Sequence, residues 1–315
     1  MLVKSLLQIA SPAGRRARLS VLIFHRVAAQ PDPIFPDEMH ARRFDEMCSW
    51  LKSWFNLLPL DTAVTHLKAG TLPARAACIT FDDGYADNFH TALPIIQRHG
   101  LTATFFIATG FLDGGRMWND TIVETIRTCG SPNLDLSSLG LGRHSVVSIE
   151  DKRVAISSLI NAIKYKPLDE RVTITEGIAV LARVQPPENL MMTSGQVKCM
   201  RKAGMQIGAH TRSHPILARL TDEQARQEIQ SSKDFLESLL EERIGLFAYP
   251  NGKPGEDYSP QSVAVVRSIG FEAAVSTNWG ASSQVDDLFQ IRRFSPWDRN
   301  KLNFGVRLAQ NLWCR

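Results

Sequence analysis

Two short polar stretches of the chain carry side chains that are capable of chemistry. Asp82 and Asp83 follow an apolar run and precede Gly84, and His210 and His214 lie four residues apart in HTRSH. Two imidazoles and one carboxylate are a common ligand set for zinc and similar divalent ions, and such a set leaves coordination positions for water. Asp83 would be the carboxylate ligand and Asp82 a nearby base, because a divalent cation offsets the repulsion between adjacent carboxylates.

Each of these stretches also has a simpler interpretation. An Asp-Asp-Gly sequence is most often a turn with solvated carboxylates, and HxxxH equally fits two surface histidines. The four-residue spacing predicts a helical turn with both imidazoles on one side, which Pro215 would end. Only their joint occurrence at predicted strand ends favours a metal site.

Seven short apolar runs predict the strands that position these residues. Several runs are almost continuously apolar, as in parallel strands covered on both faces, and helical patterns alternate with them at 194–204 and 221–242. This alternation predicts an α/β protein with a mostly parallel sheet, closed into a barrel or nearly so. In such folds the carboxyl ends of the strands line the ligand site. The runs are 21–25, 77–83, 103–109, 205–210, 245–250, 271–277 and 289–295.

Residues 110–193 interrupt this alternation. A turn-rich stretch, SPNLDLSSLGLG, is followed by helical patterns at about 150–164 and 168–184. We expect one domain over residues 1–315, with 110–193 as a mostly helical insertion on the catalytic face.

Composition and charge narrow the class of protein. The 315 residues are 44% hydrophobic and 22% charged, which is typical of a globular protein, and a net charge of +4 does not indicate a nucleic-acid partner. Five widely spaced cysteines without a CxxC pair favour a reducing compartment. The first residues lack the order of a secretory signal, and no run is long enough to span a membrane. We expect a cytoplasmic protein whose contact with a membrane, if any, is peripheral.

With these residues in view, the chain resembles the polysaccharide deacetylase family, also known as the NodB-homology or carbohydrate esterase 4 group. TFDDG (80–84) matches its first motif and HTRSH (210–214) its HxxxH motif. FAYPNG (247–252) resembles the third motif in the form found in bacterial surface-glycan deacetylases, and FHRV (24–27) resembles an element that precedes the domain in many of them. The resemblance spans roughly residues 20–300, whereas 110–193 matches no motif.

The resemblance implies a distorted (β/α)7 barrel and a hydrolase that removes N-acetyl groups from amino sugars. The substrate would be a polysaccharide, an oligosaccharide or a lipid-linked glycan precursor. Motif positions make Asp82 the general base, and they place the backbone N–H of Asn251 on the oxyanion, with Tyr249 as a further substrate contact. The implied cofactor is a divalent metal, zinc first, with cobalt, nickel or manganese as alternatives. Its implied ligands are Asp83, His210 and His214.

Two family residues are absent at their expected positions. Ala248 stands where the third motif carries the arginine that orients the base, and QIRRFS (290–295) lacks the histidine that serves as general acid. We therefore hypothesise that His25 is the acid and that Arg293 holds Asp82, although an ordinary surface ion pair is the simpler role for such an arginine. The alternatives are an amidohydrolase that acts on a non-sugar amide and a catalytically silent glycan-binding module.

Overall fold

The computed structural model describes residues 2–296 and 298–313, which form two compact units. The barrel unit comprises the described residues of Met1–Gln30, Met39–Leu112 and Met192–Arg315. The second unit comprises Pro31–Glu38 and Asp113–Met191. The second unit corresponds closely to the predicted insertion at 110–193, but the sequence did not indicate that residues 31–38 belong with it. The single-domain prediction stays a prediction.

All seven predicted strands are present, and each begins or ends within about two residues of its predicted bounds. Shorter strands were not predicted. In chain order the described residues form β1 (Ser20–Phe24), β2 (Asn56–Leu57), β3 (Ala76–Phe81), β4 (Thr104–Ile107), β5 (Asn133–Asp135), β6 (Arg143–Ser145), β7 (Gln206–Ala209), β8 (Leu246–Ala248), β9 (Ala273–Trp279) and β10 (Ile291–Arg293).

The sheet of the barrel unit is parallel and nearly closed. Its order is β1-β3-β4-β7-β8-β9-β10, with β2 pairing beside β3. The first and last strands meet where Ile23 donates a backbone hydrogen bond to Phe294 and Phe294 donates one to Val21, at 3.0 and 2.7 Å. The predicted (β/α) barrel is confirmed.

Strand alternation divides the side chains of the barrel into two sets. Val21, Cys78, Val275 and Ile291 belong to an inner apolar cluster, whereas neighbouring strand residues pack outward in a separate cluster. Gly208 belongs to the inner set, because a Cβ there would lie only 2.5 Å from the ring of Phe106. The same alternation turns Asp82 and Arg293 inward, one pleat beyond the inner residues of β3 and β10.

Helices of the barrel unit pack around its sheet, and the four helices predicted along the chain are all present. The helix predicted at 221–242 begins with a capping box in which Thr221 and Gln224 bond reciprocally. In chain order the described helices are α1 (Leu2–Ala10), α2 (Ala41–Trp54), α3 (Leu60–Ala69), α4 (Leu93–Arg98), α5 (Trp118–Thr128), α6 (Ile149–Ile163), α7 (Leu168–Ala182), α8 (Ser194–Lys202), α9 (Asp222–Leu240), α10 (Pro260–Ile269) and α11 (Lys301–Trp313).

The second unit has an apolar core of its own. The unit contains α5, α6, α7 and the antiparallel pair β5–β6. Ile34 packs with Ile122 and Leu159 in that core. Arg127 binds Asp32 through two hydrogen bonds of 3.0 and 2.7 Å, which ties the 31–38 segment to α5.

Within residues 2–296 and 298–313, no helix combines the length and apolar character needed to cross a bilayer.

Candidate active site

The two neighbouring carboxylates lie where β3 ends. Asp82 continues the extended strand, and its backbone N–H donates to the Phe24 carbonyl at 2.9 Å. Asp83 then adopts a left-handed conformation with φ of 77°, and Gly84 follows with φ of 91°. Strand alternation alone would send consecutive side chains to opposite faces. The left-handed residue breaks that alternation, so both carboxylates approach His210, at 3.9 and 3.4 Å from its Nε2.

The Asp82 carboxylate is held by Arg293 from the last strand. The two guanidinium NH2 groups of Arg293 each donate to one carboxylate oxygen at 2.7 Å, and Nε donates to the Ser276 carbonyl at 2.8 Å. Arg293 is 1% exposed and Asp82 2%. Ala248, at the position of the usual family arginine, has no polar side chain. The structure therefore places Arg293 in the contact that the sequence hypothesis proposed for it.

This pairing keeps Asp82 ionised. Burial would raise the pKa of Asp82, but the positive charge of Arg293, with smaller contributions from His210 and His25, lowers the pKa below its ordinary value. Two parallel hydrogen bonds also fix the plane of the carboxylate. We call Asp82, Arg293 and Ser276 the base pocket.

His210 and His214 face each other, but not through a helical turn. That prediction was wrong. Residues 211–214 form a bend in which Thr211 and His214 both have positive φ, 64° and 52°. Glu228 of α9 fastens the bend by accepting hydrogen bonds from the backbone N–H groups of Arg212 and Ser213, at 3.0 and 2.8 Å.

Asp83, His210 and His214 form a cluster with the geometry of a metal site, which we call the histidine cluster. Nε2 of His210 and Nε2 of His214 lie 3.4 and 3.5 Å from Oδ1 of Asp83. Tetrahedral zinc, with ligands at about 2.0–2.1 Å, spaces neighbouring ligand atoms about 3.4 Å apart. Oδ1 of Asp83 is buried and has no hydrogen-bond partner among the described residues.

A second contact prepares His210 as a ligand. Its Nδ1 lies 2.7 Å from the carbonyl oxygen of Ala248, so Nδ1 carries a proton and Nε2, which faces Asp83, is the nitrogen that could ligate a cation. Metal-ligating histidines are commonly oriented through a backbone carbonyl in this way. The donor set, its spacing and the unpartnered oxygen all fit a divalent transition metal.

The protonation states of the two histidines in the histidine cluster differ in the absence of a bound cation. Burial lowers the pKa of His214 to about 4, so its ring is neutral at neutral pH and able to ligate. Burial would lower the pKa of His210 as well, but Asp82 and Asp83 raise it above the ordinary value. Burial would raise the pKa of Asp83, whereas the surrounding imidazoles lower it. A bound cation would replace the proton on His210, since only neutral imidazole ligates.

His25 follows β1 and is exposed, and its charge lowers the pKa of both Asp82 and Asp83. Its backbone is held by residues that the sequence argument missed. Asn88 donates to the His25 carbonyl at 2.8 Å, and Asp87 accepts from Arg26 Nε at 2.8 Å and from the next backbone N–H at 3.1 Å. The signal was available, because Asp87 and Asn88 lie in the polar continuation of TFDDG.

The two remaining predicted residues, Asn251 and Tyr249, both lie in the third motif but have different surroundings. Asn251 is exposed with φ of 58°, and no described residue accepts a hydrogen bond from its backbone N–H. The side chain of Tyr249 lies instead in the outer core, where its ring stacks on Tyr258 and its hydroxyl donates to the Phe289 carbonyl at 3.0 Å. The structure does not bring the Tyr249 side chain to the site, because strand alternation turns it outward.

Comparison with known proteins agrees with this geometry. A family model described as polysaccharide deacetylase matches residues 69–132 and 178–274, about half of the chain. The chain belongs to the polysaccharide deacetylase family. It is therefore a hydrolase of amide carbon–nitrogen bonds, in a family that acts on N-acetylated glycans.

Individual relatives match this deacetylase over different lengths. It is 20% identical over 279 residues to YxkH of Bacillus subtilis (strain 168), a protein named for the same family, and the match covers 88% of this chain and 71% of YxkH. A poly-β-1,6-N-acetyl-D-glucosamine N-deacetylase of Staphylococcus aureus is 35% identical over 69 residues, which are 22% of this chain and 24% of that protein.

Solved structures of low sequence identity share its fold. The deacetylase PplD of Streptococcus pyogenes, solved with acetate, superposes with a TM-score of 0.63 at 18% identity, covering 95% of this chain and 99% of PplD. IcaB of Ammonifex degensii superposes with a TM-score of 0.60 at 16% identity, covering 96% of this chain and 99% of IcaB.

Proposed function

We propose that this enzyme is a metal-dependent N-deacetylase that releases acetate from N-acetylated amino sugars of a glycan or a lipid-linked glycan precursor. One observation carries the proposal. A buried carboxylate, Asp82, is kept ionised by Arg293 and adjoins a cluster of Asp83, His210 and His214 whose ligand atoms have the spacing of a zinc site.

Asp83, His210 and His214 would hold the cation. A divalent ion in this position supplies Lewis acidity, which lowers the pKa of water and polarises an acyl oxygen. Zinc is the first choice because two imidazoles and one carboxylate form a characteristic zinc set, and cobalt, nickel and manganese remain alternatives.

Asp82 would take the proton of the attacking water. A general base must be ionised and rigidly aimed, and the two hydrogen bonds from Arg293 meet both needs. The lone pairs of the carboxylate that Arg293 does not engage remain for the water. Arg293 itself is a positioning residue, since it acts through Asp82.

Two further groups would complete the reaction. The backbone N–H of Asn251 would donate to the oxygen that becomes negative in the tetrahedral intermediate. His25 would give a proton to the departing sugar amine, because an imidazolium is the side chain best suited to this transfer near neutral pH. With one proton taken from water by Asp82 and one given to the amine by His25, the products are acetate and a free amine.

The substrate proposed first is a glycan of N-acetylglucosamine. This choice rests on the staphylococcal relative, whose name gives poly-β-1,6-N-acetyl-D-glucosamine as its substrate. The cytoplasmic location and the peripheral membrane contact stay predictions. A cytoplasmic enzyme would act on precursors rather than on finished polymer.

Acetate release tests the proposal. The zinc-loaded enzyme is incubated with β-1,6- and β-1,4-linked N-acetylglucosamine oligomers and with simple acetanilides, and acetate is measured. We expect turnover of at least one oligomer, and we expect Asp82→Asn to abolish it while zinc stays bound. Hydrolysis of the simple amides alone would favour the amidohydrolase alternative. Oligomer binding without any hydrolysis or bound metal would favour the glycan-binding module, and an active Asp82→Asn would contradict the assignment of the base.

A further inference from the structure

The second unit contains a buried arginine that the deacetylation mechanism does not use. Arg171 lies one turn into α7 and is only 7% exposed. Its guanidinium lies over the ring of Trp118 on α5, 5.3 Å from the ring centroid. This cation–π contact supplies no hydrogen-bond acceptor for the edge of the guanidinium, which carries the N–H donors.

No described residue satisfies that edge. Nε of Arg171 is buried and unpartnered, and none of the hydrogen bonds or ion pairs within residues 2–296 and 298–313 involves its guanidinium. Arg116 of the same unit shows the usual outcome, because it donates to Thr121, Glu176 and two backbone carbonyls. Buried arginines are almost always paired in this way.

Electrostatics points in the same direction. Burial lowers the pKa of Arg171, and no nearby acidic group counteracts the effect. The two acidic residues that precede it on α7, Asp169 and Glu170, are exposed. A desolvated cation without a counter-ion is costly to the folded state, and an anion that docks on the guanidinium edge would remove that cost.

We propose that Arg171 is the anchor of an oxyanion-binding site in the second unit, which takes a phosphate or carboxylate group of a ligand on the guanidinium edge while Trp118 packs against the same group. Phosphate and carboxylate oxygens match the fork of arginine through two parallel hydrogen bonds. Arg171 has no role in the proposed deacetylation, and the group that it would recognise is an acidic substituent of a glycan or a phosphate of a precursor rather than the acetyl group.

Thermal unfolding of the full zinc-loaded chain tests this site. Inorganic phosphate, N-acetylglucosamine 1-phosphate and glucuronate are compared with chloride at equal ionic strength. We expect at least one of them to raise the Tm by about 3 °C at saturation. Arg171→Gln should abolish this rise. Arg143→Gln removes an exposed charge of the same unit and should leave the rise intact. The ligand that acts shows whether phosphate or carboxylate is preferred.

A conservative variant keeps the test decisive if Arg171→Gln does not fold. Arg171→Lys retains the charge but not the fork, and we expect it to bind the same anion at least about fivefold more weakly. Equal affinity in Arg171→Lys, an unchanged Tm rise in Arg171→Gln, or no anion-specific rise in the parent chain would each overturn the proposal. None of these outcomes bears on acetate release, so the failure of this site and failure of the proposed function are distinguishable.

Discussion

The base pocket and the histidine cluster each contain one of two consecutive aspartates, Asp82 and Asp83, but they differ in how far the protein satisfies the charge of that carboxylate. In the base pocket, both oxygens of Asp82 accept hydrogen bonds from Arg293. In the histidine cluster, Oδ1 of Asp83 is buried without a hydrogen bond while two imidazole nitrogens approach it. The comparison teaches that the fold itself completes the first region, whereas the second leaves unsatisfied a carboxylate oxygen that the proposed cation would bind.

Breaking the histidine cluster should have the largest effect. His214→Ala removes a proposed ligand and leaves the base pocket intact, so we expect acetate release to fall by at least about a thousandfold, since the cation supplies several kcal/mol of stabilisation. The zinc-dependent rise in Tm should disappear as well. His66→Ala, at a partly exposed helical position where the ring contacts Thr71, is the control. Retained zinc stabilisation in His214→Ala would contradict the ligand assignment.

Breaking the base pocket should affect stability as well as activity. Arg293→Met leaves Asp82 buried and unpaired, which we expect to lower the free energy of unfolding by about 3–5 kcal/mol. Turnover should fall about a hundredfold, while zinc binding persists. Urea denaturation, kcat and zinc titration measure the three effects.

Arg292→Met is a matched control for this variant, because the neighbouring Arg292 makes only a partly exposed ion pair with Asp286 at 3.9 Å. Its cost should stay below about 1 kcal/mol. Equal destabilisation by the two substitutions would show that the Asp82–Arg293 pair has no special role.

Acidification should sharpen the difference between the two regions in metal-free enzyme. The pKa of His214 is lowered from 6.5 to about 4, so as the pH falls this ring takes up a proton in the unfolded chain at a higher pH than in the folded chain. Stability from this group is present above pH 6.5 and is lost as the pH falls towards 4, by at most about 3 kcal/mol. The pKa of His210 is raised, so stability from that group is fully present below pH 6.5 and is lost only as the pH rises above this value. Urea denaturation at pH 7 and pH 5 should show a smaller loss for His214→Gln than for the parent, and an identical loss would contradict this account.

The smallest effect is expected from outside both regions. Asp87→Asn keeps the size of the side chain but weakens its contacts with Arg26 and the following backbone, so His25 should be less well placed. We expect kcat to fall about tenfold, less than in His25→Ala, with the alkaline limb of the pH profile changed, because a general acid must be protonated to act. Asp234→Asn, at an exposed residue bonded to Gln230, should change nothing. If Asp87→Asn alters only the Tm, its role is purely structural.

Much of the architecture could be predicted because its signals are local. Buried parallel strands require apolar runs, and helices require periodic patterns and caps, so the seven strands and the Thr221 cap were readable from the chain. The helical turn at 210–214 was predicted wrongly because a four-residue spacing does not determine backbone conformation. There the tertiary contacts of Glu228 favour a bend with two left-handed residues.

The sequence by itself determined which side chains were available to the site. They are two carboxylates at one strand end, two histidines at another, and an arginine on the last strand of a chain whose third motif lacks the family arginine. Only the tertiary structure decided their partners. Barrel closure brings Arg293 onto Asp82, the left-handed Asp83 turns its oxygen to the imidazoles, and the core takes Tyr249 away from the site. Residue types are written in the chain, whereas distances between strand ends arise only when the sheet closes on itself.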